Sequence, residues 1–156
     1  MPRALTNYLQ VLDEVRAAID DEPDATRAME GTVRRLYDRV PDYNWVGIYL
    51  LYGNELALGP FVGDPSPHTR IPLGRGICGA AAAEKQTIIV DDVNADPRYL
   101  ACSLDTKSEI VVPIMKGAEV LGEIDIDSDR LAAFGAEDKK LLEAIAALLA
   151  PRLARA

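Results

Sequence analysis

Several residue types that often define a protein's chemistry are scarce here. Cysteine occurs twice, as Cys78 and Cys102, and histidine once, as His68. With no CxxC pair and a single imidazole, no zinc ribbon or disulfide scaffold can be drawn, so neither a metal nor a cofactor is expected. Basic residues are outnumbered, 17 Lys and Arg against 25 Asp and Glu, for a net charge of −8. That balance excludes nucleic acid and anionic membrane as main partners, because no basic stripe is left to hold phosphates. No apolar run reaches the length of a membrane span. The opening MPRALTNYLQ has no apolar signal segment, so a cytoplasmic protein is expected. Repeats, low-complexity tracts and linkers are also missing.

What is present is the composition of one globular domain over 1–156. Hydrophobic residues make up 49% of the chain, enough to offset the entropy of ordering. Leu5, Tyr8, Leu9, Leu12, Val15 and Ile19 recur at helical spacing. After DDEP at 20–23, Asp24 is placed to cap a second helix. Its apolar face is Ala25, Ala28, Met29, Thr32, Val33, Leu36 and Tyr37, and Pro41 ends it. Together these predict N-terminal helices over about 4–40.

Strand patterns follow at 43–51, 55–58, 86–90, 109–115 and 119–127, the last two as a hairpin across Lys116-Gly117. The Pro- and Gly-rich stretch 59–70 reads as loop. GRGICGAAAAEK (74–85) reads as a turn entering a short helix. The segment 91–108 is a long polar loop carrying Cys102, of a length that usually signals function. A C-terminal helix spans about 136–154 with Leu141, Leu142, Ile145, Leu148 and Leu149 on its apolar face; Pro151 should kink or end it. Five strands among helices indicate an α+β fold. The sheet carries helices on one face, with loops covering a ligand pocket over about 43–127 on the other.

Strand alternation sorts the candidate site residues. Trp45, Gly47, Tyr49 and Leu51 share one face, two large aromatics flanking a glycine as if to form a slot. Glu123, Asp125 and Asp127 share a face on the last strand, and Glu109 opens its neighbour. Such a row can be a solvated sheet face. Placed under loops instead, the acids would crowd one another, raise at least one pKa, hold a small ammonium group and keep one carboxyl protonated. Cys78, after a Gly-rich turn and before a helix, is either a packed small hydrophobe or a thiolate favoured by a helix N-terminus. Cys102, in a polar loop, reads as reactive. His68 has no partner suggesting a triad or a metal.

NWVGIYLL, GPFVG, RIPLGRGICGAAA, QTIIVDDV, YLACSLDTKSEIVVPI and LGEIDIDS occur in this order. This run, from about residue 40 to 138, resembles the free methionine-(R)-sulfoxide reductases, a single-domain branch of the GAF fold. The resemblance implies a six-stranded antiparallel sheet, with the extra strand near 70–73, and a closed substrate cavity. It implies Cys102 as the nucleophile, Glu109, Asp125 and Asp127 lining the pocket, and Trp45 and Tyr49 walling the methyl side of the substrate. One position departs. The family usually carries a third cysteine ten residues ahead of the GICG cysteine, and His68 stands there, leaving Cys78 as the only internal partner for an oxidised Cys102.

The chemistry expected of these residues is thiol redox chemistry. A thiolate attacks the sulfoxide sulfur, a neutral carboxylic acid (Asp127) protonates the departing oxygen, and a cysteine sulfenic acid remains. A second thiol, Cys78 or an external one, condenses with it, and a thioredoxin-like reductant restores the enzyme. The competing expectations are a stand-alone GAF sensor that keeps the pocket without turnover, and a scaffold whose amphipathic end helices pair, for instance in a homodimer.

Overall fold

The computed structural model describes residues 6–100 and 105–153. Cys102 and the expectations attached to its position lie outside the described residues. Helix α1 spans Tyr8–Asp20, its first turn capped by the Asn7 side chain, which accepts from the Gln10 amide at 3.0 Å. Helix α2 spans Ala25–Arg39, and Asp24 caps it as expected, accepting from the Arg27 amide at 2.9 Å. The helix ends two residues before Pro41. Its buried positions, Ala28, Met29, Thr32, Val33 and Leu36, are five of the seven read from the spacing; Ala25 is only half-buried and Tyr37 is 37% exposed. On α1 the buried line is Val11, Val15 and Ile19, and Leu9 is 74% exposed, not core. Those three repeat every four residues and claim the contact face, which turns Leu9 outward.

Strands β1 (Trp45–Tyr52), β2 (Glu55–Val62), β3 (Arg70–Pro72), β4 (Ile88–Val90), β5 (Ser108–Lys116) and β6 (Glu119–Ser128) form one sheet. Their order is β3-β2-β1-β6-β5-β4 and every pairing is antiparallel. The sixth strand falls within 70–73, as the resemblance implied. The expectation of a loop from residue 59 is corrected: β2 continues to Val62, pairing Phe61 with Gly47 and Val62 with Val46 beyond a bulge. Pro60 is tolerated because β3 pairs only with Glu55, Leu56 and Ala57, leaving that end of β2 an edge.

The first and last strands, β1 and β6, lie side by side at the centre. The helices before β1 and after β6 therefore land on the same face. There α1, α2 and α4 (Ala136–Leu153) bury Val46, Ile48, Ile110, Val112, Ile114, Ile124 and Ile126. Pro151 does not end α4, which runs on to Leu153. Next to it, the Arg152 guanidinium donates to the carbonyls of Ile19 and Glu22 at the end of α1, closing carbonyls that the helix itself cannot satisfy. Buried Asp138 fixes the other end of α4. Its carboxylate accepts from Tyr43 at 2.6 Å, Tyr8 at 3.2 Å and the Gly135 amide at 2.9 Å. Among the described residues no helix is long and apolar enough to cross a membrane.

The opposite face is covered differently. Helix α3 (Gly76–Glu84) packs there, with the loops before β3 and after β4, so the helices do not all lie on one side. Gly76 opens α3 at φ +68°, and a Cβ there would meet Leu100 at 2.8 Å. Glycine is thus required both by the backbone angle and by the loop that presses on it.

Candidate active site

The residues of this second face come from neighbouring positions across three strands. On β1, Trp45 pairs with Asp127, Gly47 with Asp125 and Tyr49 with Glu123. On β5, Glu109 pairs with Asp127 and Val111 with Asp125. Three strand alternations thus place four carboxyls and two aromatics on one surface. It is not a solvated face: Glu109, Glu123, Asp125 and Asp127 are each at most 5% exposed.

The cover is made by the aromatics themselves. Trp45 Nε1–H donates to the Asp64 carbonyl at 2.8 Å, and Tyr49 O–H donates to the His68 carbonyl at 2.8 Å. The apolar bodies of both rings lie on the sheet while their polar ends pin the 64–68 loop above it. The slot expected between Trp45 and Tyr49 is closed, because the Trp45 ring lies over Gly47. A Cβ at Gly47 would meet that ring at 2.3 Å, a contact only glycine avoids. Phe61, which sequence reading left in a loop, stacks on Trp45 with centroids 5.7 Å apart.

Two hollows remain. One, of about 80 Å³, is lined by Trp45, Asp64, Ser66, Asp105, Thr106 and Asp127, among others. The other, of about 20 Å³, lies against Tyr49, His68, Cys78, Leu100, Glu109 and Asp125. All seven residues singled out from the sequence except Cys102 are therefore on this face.

Electrostatics follows from burial. Removal from water pushes Glu123 and Asp127 well above the usual carboxylate range, and the neighbouring Asp125 charge pushes both further. Asp125 is raised by the same desolvation, partly offset by hydrogen bonds from Glu109 and Cys78. Interaction with Glu109 partly offsets the rise at Asp127 as well. Carboxyls packed side by side in a dry site oppose one another's ionisation. Glu123 is the deepest member, with neither oxygen hydrogen-bonded among the described residues. The alternation of β6 places it in the row, but nothing in the sequence marks it as the most buried.

Cys78 departs from the thiolate expectation. It is the third residue of α3, but it is 5% exposed, and desolvation together with the charges of Asp125, Glu123 and Glu109 raises its thiol well above the ordinary value. Those charges outweigh the helix N-terminus, so the proton stays on sulfur.

Comparison with known proteins matches residues 24–153 to the GAF domain model. The free methionine-R-sulfoxide reductase of Escherichia coli is 36% identical over 147 residues, covering 94% of this chain and 88% of that protein. The X-ray structure of free methionine-R-sulfoxide reductase from Neisseria meningitidis in complex with its substrate superposes with a TM-score of 0.89 at 38% identity. That match covers 94% of this chain and 87% of the other. The substrate complex of fRMsr from Staphylococcus aureus gives 0.90 at 39% identity, over 99% of this chain and all of the other (100%).

Proposed function

The chain belongs to the free methionine-R-sulfoxide reductases of the GAF-domain family, and from that premise we propose how its residues carry the reaction. The overall conversion takes free methionine-(R)-sulfoxide and one enzyme thiol to methionine and one enzyme sulfenic acid. Cys102 is the nucleophile: its sulfur attacks the sulfoxide sulfur, the S–O bond breaks, and oxygen ends on the cysteine. The oxygen leaves its carbon-bearing sulfur only when protonated, and Asp127 supplies that proton. Its raised pKa keeps it in the acid form where an ordinary aspartic acid is ionised. Glu109 and Asp125 receive the substrate ammonium. Trp45 and Tyr49 wall the methyl group. The observation that carries this reading is the burial of Glu109, Asp125 and Asp127 side by side on β5 and β6, a proton donor and an ammonium site in one.

Recycling needs a second thiol. The sulfenic acid and that thiol condense to a disulfide with loss of water, and exchange with a dithiol then frees Cys102. Cys78 is the one internal candidate, and its protonated, buried thiol makes it a slow one. An external thioredoxin-like dithiol acting on Cys102 directly is therefore the faster route.

The test is to incubate the protein with racemic free methionine sulfoxide and dithiothreitol and to measure methionine. Release of methionine that stops at half of the racemate supports the reading. No methionine above the protein-free control removes it.

A further inference from the structure

Three donor atoms of different chemistry meet beside the smaller cavity. Cys78 Sγ comes from the first turn of α3, one Glu109 oxygen from β5 and one Asp125 oxygen from β6. All lie within 4.8 Å of one another. They are separated by 31 and 16 positions in the chain, so no spacing motif announces them. Asp125, which lines the cavity, is 97% buried, and its Oδ1 has no hydrogen-bond partner among the described residues. A buried carboxylate oxygen without a donor is destabilising, a cost that a cation removes.

The cavity itself limits the occupant. At about 20 Å³ it has room for one water-sized species. Cys78, Glu109 and Asp125 are each at most 5% exposed, so an ion held here would be largely withdrawn from water.

We propose that Cys78 Sγ, Glu109 and Asp125 form a site for one borderline-soft divalent cation of the Zn²⁺ or Cd²⁺ class. The donors select the ion. Thiolate disfavours Mg²⁺ and Ca²⁺, and carboxylate oxygens complete a set that Zn²⁺ accepts. Bonds of about 2.3 Å to sulfur and about 2.0–2.2 Å to oxygen hold tetrahedral donors about 3.5 Å apart, so closing on an ion takes shifts of about an ångström. Binding exchanges protons for the metal: the thiol proton leaves as sulfur bonds to the ion, and two carboxylates and one thiolate offset its double positive charge with one negative charge left over. The site is independent of the reductase reading. On that reading it has one consequence, that an ion here stands where the substrate ammonium would bind.

The experiment uses the full chain, reduced and metal-free, titrated with Co²⁺ as a spectroscopic probe and with Cd²⁺ as a stabilising ligand. The expected result is a thiolate-to-Co²⁺ charge-transfer band that saturates at one ion per chain, and a rise in thermal midpoint with Cd²⁺. Both persist in Cys102→Ser. The band disappears in Cys78→Ser, and Asp125→Asn weakens Co²⁺ binding at least about tenfold. Should Cys78→Ser fail to fold, the Cys102→Ser and Asp125→Asn titrations still decide. A band lost in Cys102→Ser, affinity unchanged in Asp125→Asn, or no band in the wild-type chain overturns the proposal.

Discussion

On one face of the central strands, Val46, Ile48, Ile124 and Ile126 lie beneath three helices. One residue along the same strands, on the other face, stand Trp45, Tyr49, Glu123, Asp125 and Asp127 beneath a short helix and pinned loops. Both surfaces are dry. The first gains from being dry, at about 25 cal/mol per Å² of apolar surface removed from water. The second loses, since its carboxyls are withdrawn from solvent with too few partners. A folded chain retains such a loss where the groups act on something, and here the loss is what raises the pKa values of the acids. Stability and chemistry are thus carried by opposite sides of one sheet, and substitutions should separate them.

The sharpest separation is a pair of variants. Cys102→Ser should abolish methionine formation and leave the denaturation midpoint where it was. Leu142→Ala, a fully buried residue of α4, should lower unfolding free energy by about 2–5 kcal/mol in a denaturant titration. The fraction that stays folded should turn over at the normal rate per molecule. A Leu142→Ala protein that is stable but slow would join the two faces again.

Acidity should distinguish the faces next. Glu123, Asp125 and Asp127 ionise at higher pH in the folded chain than in the unfolded one. The folded state therefore binds more protons. The stability these groups contribute is fully present below the ordinary carboxylate range, from about pH 4 down, and is lost as pH rises through their folded values. Glu123→Gln removes one such group, so its thermal midpoint should fall less between acid and neutral pH than that of the parent chain. Parallel curves for the two proteins would show that folding does not raise the pKa of Glu123.

The smallest expected effect concerns substrate choice. An ammonium held by Glu109 and Asp125 is a charge-assisted contact worth about 1.5–3 kcal/mol. N-acetylated methionine sulfoxide should accordingly show a kcat/KM about 10–100-fold lower than the free amino acid. Equal values would move the ammonium site off these two acids.

Much of this architecture is legible in the residues. Alternation along 45–51 and 119–127 divides the two faces correctly, and Asp24 and Pro41 bound a helix by local rules. What is not legible is decided at long range. Alternation states which residues share a face, not what will cover it. The acids are buried because Asp64 and His68, far along the chain, accept hydrogen bonds from Trp45 and Tyr49. The strand at 59–62 is hidden by Gly59 and Pro60, whose local preference for loop is overridden by pairing with β1. The thiolate expectation for Cys78 fails for the same reason: position in a helix is local, whereas the three carboxyls around it come from other strands.

Asp127→Asn tests the central claim most directly, with turnover of free methionine sulfoxide and the denaturation midpoint measured on the same sample. The substitution keeps the shape and removes both the charge and the acid proton. The account predicts that turnover falls about 10²–10⁴-fold while the midpoint is unchanged or higher. Turnover that is unaffected, or that falls only in proportion to a lost midpoint, would contradict it.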